Sequence, residues 1–338
     1  MEHVPIEEQL FLSIIIPAYN AREHIAQCLD ALLESSYKRY EIIVVDDSST
    51  DDTADLAREK GVAVLQTPEQ AGPAAARNYA TPHAKGDILL FIDADVLVTR
   101  ETLALVAKRF ADHPDIHALF GSYDVEPPER NFLSQYKNLF HHFIHQQSRE
   151  EAATFWAGCG AIRRDVFQKA QFDQQRYRKP SIEDIELGRR LRRMGYRIFL
   201  DKSLQVKHLK RWTLRSLLRT DVFQRAVPWT FLMLEENRIV DDLNLQPRSK
   251  ASACLVGILL VTLASGLFIR QSLYVSVVLL PVLVILNLDF YKFLLRRKGP
   301  GFVIPAFFIH LLYYAYSGLT FLICWTLHGL SGKKRVPS

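Results

Sequence analysis

Between Phe11 and Phe199, short runs of β-branched and aliphatic residues alternate with longer stretches in which apolar residues recur every three or four positions. That alternation predicts strands interleaved with amphipathic helices, an α/β sheet covered by helices. The strands fall at Leu12 to Ile16, Glu41 to Val45, Val62 to Leu65, Ile88 to Ile92, Ala118 to Tyr123 and Arg197 to Leu200. The helices fall at Ala21 to Ser35, Thr53 to Lys60, Pro73 to Ala80, Thr102 to Phe110 and Glu183 to Met194. Ser49 and Asp51 offer caps to the second helix, and Pro73 suits the first turn of the third.

The pattern changes past Lys250. Three apolar runs follow, Ala251 to Ile269, Gln271 to Leu288 and Gly301 to Leu327, the last broken only by Pro305 and His310. Each matches the roughly 20 residues that cross about 30 Å of hydrocarbon as a helix. A buried helical bundle would keep a charged face for water; none remains here, so two or three membrane spans are expected. Between the two regimes, residues 202–225 carry seven basic residues and the single acid Asp221, with Trp212, Leu214, Leu217, Leu218, Val222 and Phe223 interspersed. This predicts an amphipathic helix on an anionic membrane surface, the other reading being a helix packed on the catalytic part with a solvated basic face. The expected organisation is a catalytic domain over residues 1–210, an interfacial segment over 211–250 and a transmembrane region over 251–338.

Charge and cysteine content refine this picture. A net charge of +5 over 338 residues, with the basic-aromatic stretch abutting the apolar runs, argues against a nucleic-acid partner. The acidic start, Met1 to Gln9, lacks a signal-peptide pattern, and four cysteines form no disulfide or metal-ligand spacing. The expectation is a multi-pass protein of the cell membrane with its catalytic domain in the cytoplasm. Lys292, Arg296, Arg297 and Lys298 after the second run fit a hairpin returning there, whereas Lys333, Lys334 and Arg335 conflict with a third full crossing.

In open α/β sheets, ligands gather beyond the carboxyl ends of the strands, so the residues after each strand are the candidates for chemistry. Asp93 and Asp95 follow the fourth strand two positions apart and can face one hard cation such as Mg²⁺ or Mn²⁺, which would neutralise a diphosphate leaving group. Tyr19 and Asn20 can present a ring and an amide to a nucleobase, and Asp47 can accept from a base or ribose; turn formation is the competing role. Arg77, on a small-residue helix start, can bind an anion. Glu183, Asp184 and Glu186 open a helix, where carboxylates complement the dipole, but one of them in a cleft can be a general base. His208 can ligate a metal or donate to phosphate. His141, His142 and His145 lack a zinc pattern and read as structural.

Taken in order, Ser13-Ile-Ile-Ile-Pro-Ala-Tyr-Asn20, Val45-Asp-Asp-Ser-Ser-Thr-Asp-Asp-Thr53, Ala76-Arg-Asn78, Phe91-Ile-Asp-Ala-Asp95 and Glu183-Asp184 resemble the motifs of a family 2 glycosyltransferase, over about residues 10 to 212. The resemblance implies a nucleotide-binding, Rossmann-like glycosyltransferase A-type domain that uses a nucleotide-sugar donor, with uridine the family's habit, and a divalent metal. It implies that Pro17, Ala18, Tyr19, Asn20 and Asp47 hold the nucleoside, that Arg77 and Glu183 assist donor binding, and that Asp93 and Asp95 hold sugar and metal-diphosphate. Asp184 would deprotonate the acceptor in a single inverting displacement. Processive synthases of this family carry Gln-x-x-Arg-Trp, whereas this chain reads His208-Leu-Lys-Arg-Trp212. The Arg211-Trp212 pair is kept for substrate, His208 becomes a candidate metal ligand, and the missing Gln argues against processive polymerisation. A cleft at a membrane surface favours a lipid or lipid-linked acceptor. The alternatives are a sugar nucleotidyltransferase, disfavoured because no Gly-rich basic loop follows the first strand, and a non-catalytic membrane scaffold, for which Asp95 and Asp184 would have no use.

Overall fold

The structure, a computed structural model, describes residues 10–237 and 243–330. The acidic start and the Lys333, Lys334 and Arg335 tail lie outside the described residues.

Two compact units emerge, one of residues 1–130 and 145–211, the other of 131–144 and 212–338. The first is built on strands β1 (Leu12–Ala18), β2 (Tyr40–Asp46), β3 (Ala63–Gln66), β4 (Ile88–Ile92), β5 (Val96–Leu97), β6 (Ala118–Tyr123), β7 (Glu151–Ala152), β8 (Cys159–Arg163) and β9 (Ile198–His208). Their order is β3-β2-β1-β4-β8-β6-β9-β5, with β7 also on β9. The strands β3, β2, β1 and β4 run parallel. Five consecutive buried residues in β4 and in the first part of β1 reflect a sheet covered on both faces, as parallel sheets require.

One face packs Leu12, Ile14 and Ile16 of β1 and Leu90 and Ile92 of β4 against α1 (Ile25–Leu33), α2 (Thr53–Glu59) and α4 (Thr102–Asp112). On the other face lie α3 (Pro73–Ala80) and α6 (Arg164–Lys169), where Phe91 meets Phe167 and Phe172 with ring centroids 5.2 and 5.3 Å apart. The predicted strands are all present, but β8 escaped the periodicity. It lies antiparallel between β4 and β6 and begins at the end of the glycine-rich Trp156 to Gly160 stretch. Those glycines are needed there: a Cβ on Gly160 would sit 2.3 Å from the Trp156 carbonyl oxygen.

The last strand overturns part of the expected amphipathic helix. Lys202 and Lys207 lie on β9, an 11-residue strand and not a helix, because this stretch pairs with β6, and from Leu204 on burial alternates, Leu204 and Val206 buried and Gln205 and Lys207 less so. Helix begins only at α8 (Leu214–Arg219), where Thr213 and Ser216 form a reciprocal cap. It passes through a π-helical stretch, Thr220–Ala226, into α9 (Val227–Glu235).

The second unit contains these helices with residues 132–144 of α5 (Phe132–Gln147), and then α10 (Pro247–Ser265), α11 (Ser272–Leu286), α12 (Leu288–Lys298) and α13 (Pro300–Leu330). Two helices, α10 and α13, are long and apolar enough to cross a membrane, or three if α11 and α12 count as one bent span. The second apolar run is α11, and a 68° bend into α12 closes it at Asn287, whose side-chain amide donates to Ser252 Oγ at 3.0 Å and whose side-chain carbonyl accepts from the Tyr314 hydroxyl at 2.8 Å. The third run is one continuous 31-residue helix. Apolar side chains face outward along these helices, Val261 and Val277 each being 67% exposed. A buried ion pair, Lys137 Nζ to Asp221 Oδ1 at 2.6 Å, is joined by the Tyr316 hydroxyl at 2.6 Å from Asp221 Oδ2.

In the first unit, α7 (Glu183–Arg193) approaches the chain before β8 so closely that a Cβ on Gly188 would lie 2.2 Å from the Phe155 nitrogen. Gly188→Ala is expected to destabilise the protein by about 1–3 kcal/mol, because backbone must move to admit the methyl group. Denaturant unfolding of the detergent-solubilised chain measures this; an unchanged midpoint would mean that α7 shifts at no cost.

Candidate active site

The loops after β1, β2 and β4 bring the predicted residues to one edge of the sheet. Parallel pairing aligns Ala18 with Asp46, and the Asp47 N–H donates to the Ala18 carbonyl at 2.8 Å. Two residues in these loops take left-handed backbone, Asn20 (φ 48°) and Ser48 (φ 57°). Asn tolerates this region because its short amide bonds locally. Here the Asn20 Oδ1 accepts from Thr50 N–H at 2.9 Å and its own N–H donates to Ser49 Oγ at 2.9 Å. Asn20 therefore frames the neighbouring loop, and Ser49, expected as a helix cap, serves that frame instead. Asp51 does meet the start of α2, accepting from Thr53 N–H at 3.1 Å.

Asp47 is buried, and its carboxylate accepts from Ala71 N–H at 2.9 Å, Gly72 N–H at 2.8 Å and Thr67 Oγ1 at 3.0 Å. It thereby positions the start of α3, where Gly72 takes φ 89° and Pro73 opens the helix. Pro17 is half-buried, Ala18 belongs to the core and Tyr19 is exposed. Asp46, which motif reading passed over, is fully buried with no hydrogen-bond partner at Oδ2, a sign that only the fold could reveal.

From α3, Arg77 reaches across the cleft. Its guanidinium is 4% exposed and donates to Asp93 Oδ1 at 2.7 Å and to Glu183 Oε1 at 3.1 Å. Glu183, also buried, accepts from Ser181 N–H at 2.9 Å. Desolvation in the cleft pushes the Asp93 carboxyl up, against the pull of Arg77 and with the support of the Asp95 and Glu183 charges.

Asp95 sits differently. Burial opposes its ionisation, but His208, whose Nε2 lies 3.4 Å from Asp95 Oδ2, brings its carboxyl down to about 2, helped by Lys210 and His24. Backbone pairing makes this contact: β5 aligns Val96 with His208, and Leu209 N–H donates to the Asp95 carbonyl at 2.8 Å. The His208 ring stacks on Tyr123 at 4.5 Å, and Tyr123 meets Trp156 edge-on at 4.9 Å. Asp184, at the N-terminus of α7 and half-buried, accepts from Ala157 N–H at 3.1 Å. Glu186 pairs instead with Arg190 one turn along the helix.

Among the described residues no three His, Cys, Asp or Glu side chains gather as a ligand set. Asp95 and His208 lie side by side, with oxygen and imidazole donors that suit a divalent cation, whereas Asp93 is turned to Arg77. Arg211 is exposed, 3.9 Å from Glu129. Trp212 is 4% exposed and fixed to α5, donating its N–H to Ser134 Oγ at 2.7 Å and accepting from Asn131 Nδ2 at 2.7 Å. The structure therefore leaves Trp212 as a packing residue. Likewise His145 Nδ1 donates to the Gly121 carbonyl, 3.0 Å away, and His142 stacks on Phe293.

Residues 13–170 match the profile of Glycosyl transferase family 2. The chain carries a family 2 glycosyltransferase domain. A poly(ribitol-phosphate) beta-glucosyltransferase of Bacillus spizizenii is 40% identical over 100 residues, 27% of this chain and 16% of that protein. The solved mannosyltransferase PcManGT of Pyrobaculum calidifontis, in complex with GDP-Man and Mn²⁺, superposes with a TM-score of 0.60 over 94% of this chain and 88% of its own, at 19% identity. TarS 1–349 of S. aureus with UDP-GlcNAc gives 0.51 over 96% and 93%, at 18% identity. These likenesses establish the A-type fold. The aligned segments span from 16% to 42% of the curated relatives' lengths, well under two thirds.

Two predictions follow from the electrostatics of this family 2 domain. Arg77→Met is expected to cost about 3–5 kcal/mol, since it leaves the buried Glu183 uncompensated, and Glu183→Gln in that background to recover part of the loss; denaturant midpoints of the four proteins read the coupling. Because Asp95 is lower when folded than the about 3.9 of an unfolded chain, its contribution is present above about pH 4 and lost as pH falls toward 2. The stability gap between wild type and Asp95→Asn should accordingly be level near pH 5 and close toward pH 2 in pH-resolved unfolding.

Proposed function

We propose that this chain transfers a sugar, with inversion, from a nucleoside diphosphate donor to an acceptor at a membrane surface. The observation that carries the reading is the gathering, at the carboxyl ends of β1, β2 and β4, of the loops that bear exposed Tyr19 and buried Asp47 with the Arg77–Asp93–Glu183 cluster and the Asp95–His208 pair, with the Asp184 carboxylate next to Glu183. In this reading Pro17, Ala18, Tyr19 and Asn20 belong to the loop that meets the nucleoside, and Asp47 shapes that end of the cleft.

Asp95 and His208 would hold a divalent cation, Mg²⁺ or Mn²⁺, which when bound supplies charge to the diphosphate oxygens. Arg77 fixes Asp93 Oδ1 so that the carboxylate is oriented toward the sugar. Asp184 takes the proton of the acceptor hydroxyl; the acceptor oxygen forms the new bond to the anomeric carbon as the bond to diphosphate breaks and its electron pair leaves with the diphosphate. The Ala157 N–H on Asp184 holds the base in place. The PcManGT complex with GDP-Man and Mn²⁺ and the TarS complex with UDP-GlcNAc support a nucleotide-sugar donor and a metal. A UDP-sugar is favoured here, because a poly(ribitol-phosphate) glucosyltransferase and a poly(ribitol-phosphate) N-acetylglucosaminyltransferase are among the relatives, and the TarS complex holds UDP-GlcNAc.

The spanning helices α10 and α13, and the exposed Leu214 and Phe223 interspersed with Arg215, Arg219 and Arg225, support membrane residence with the catalytic unit on the cytoplasmic side. The reading includes a lipid or lipid-linked acceptor, which membrane residence of the chain would favour.

The test is donor hydrolysis and transfer by the lipid-reconstituted full chain over a panel of UDP- and GDP-sugars, with Mn²⁺ or EDTA. One donor is expected to turn over only with metal, and Asp184→Asn to lower kcat by about 10²–10⁴-fold. No metal-dependent binding or turnover of any donor would return the chain to the scaffold reading.

A further inference from the structure

The segment between α6 and α7 has little regular structure, yet its backbone is held at three points. Asn78 Nδ2 donates to the Phe172 carbonyl at 2.8 Å and to Gln174 Oε1 at 3.0 Å, and Asn78 Oδ1 accepts from Phe172 N–H at 3.1 Å. Gly72 passes so close that a Cβ would lie 2.3 Å from the Arg178 carbonyl oxygen and 3.3 Å from the Lys179 nitrogen. Ser181 N–H is held by Glu183 Oε2 at 2.9 Å. Every anchor belongs to the cleft: Gly72 is bound by Asp47, Asn78 follows Arg77, and Glu183 is bound by Arg77.

This fixed strip presents Arg176, Arg178 and Lys179, all exposed, on the stretch that ends at Asp184. Asp173, the one acid between Ala170 and Ile182, is taken up by the Arg176 N–H at 3.0 Å. Ordinary surface cations sit on solvated helix faces, where their position is loose; these are carried on backbone pinned against the cleft. Arg77 offsets only part of the cleft's charge, since it faces Asp93 and Glu183 together, and Asp95, Asp184 and, when loaded, the donor diphosphate add to it. Cations at the rim would favour the approach of an anionic acceptor to such a site.

We propose that Arg178 and Lys179, with Arg176 beside them, bind a phosphate or phosphodiester group of the acceptor, so that the enzyme selects phosphate-bearing acceptors over neutral saccharides. This rests on the transferase reading above. Guanidinium and ammonium groups suit phosphate oxygens, the first by paired hydrogen bonds and the second as a point charge. The same chemistry is offered by a polyprenyl phosphate in the bilayer and by a water-soluble ribitol-phosphate oligomer.

The experiment uses the full chain in nanodiscs of zwitterionic lipid, with the donor found in the hydrolysis panel, and measures kcat/KM for two acceptor pairs: ribitol-phosphate oligomer against ribitol, and polyprenyl phosphate against polyprenol. The wild type is expected to favour the phosphate-bearing member of one pair, which names the source. Arg178→Gln with Lys179→Gln is expected to lower that preference about tenfold or more and to flatten its salt dependence, with Arg178→Lys retaining part of it. Equal kcat/KM for charged and neutral members of both pairs, or a preference unchanged in the double variant, overturns the proposal and leaves the transferase reading standing. Failure of every donor to turn over removes that reading, and the acceptor proposal with it.

Discussion

A guanidinium with almost no access to water must be neutralised within the protein, and Arg77 is neutralised on two sides, by Asp93 at the end of β4 and by Glu183 at the start of α7. The three residues are far apart in sequence and come from three elements, so this one cluster sets the spacing between α3, the central strand and α7. Its effective attraction is much stronger than the same contacts would have at the surface, because little water screens it. Phe172, whose ring lies 5.3 Å from the guanidinium carbon, closes the remaining side. The position of Asp184 depends on it as well, since Asp184 follows Glu183 directly.

The polar residues of the strand-end loops divide between building the cleft and facing it. Asn20 and Asp47 spend their side chains on backbone N–H groups of neighbouring loops, which lets a tight turn with left-handed residues persist next to the sheet. Asp95 and His208 are instead brought together by strand pairing, and their donors remain directed at each other over 3.4 Å. A site made in this way is preorganised: strand register, not loop mobility, sets the separation of the charged groups.

The C-terminal unit follows a different logic. Its helices leave apolar side chains outward and collect their polar groups inward, in the Asn287–Ser252–Tyr314 chain and in the Lys137–Asp221–Tyr316 cluster. The inward polar side chains of this bundle satisfy one another, as a hydrocarbon surround would require. The break at Asn287 is tolerated because that residue's own amide satisfies its neighbours, and α12 leaves it with Phe290, Tyr291 and Leu294 buried and its basic end exposed.

The order of elements, the α/β class, the apolar runs and the five motifs were all legible along the chain, because each depends on local periodicity or on residues a few positions apart. Asp93 and Asp95 stood out as charge directly after an apolar strand, and Arg77, Glu183, Asp184 and His208 through the short motifs they sit in, since helix-start carboxylates and a lone histidine also have local uses. What only the tertiary structure decided is which of them meet. Antiparallel insertion of β8 between β4 and β6, extension of β9 to His208, the turning of Asp93 toward Arg77, the burial of Asp46 and the packing of Trp212 on α5 all arise from pairings across tens of residues. Periodicity tells which face of an element is apolar, but it carries no information about the partner that face will meet, and a charged side chain takes its role from that partner.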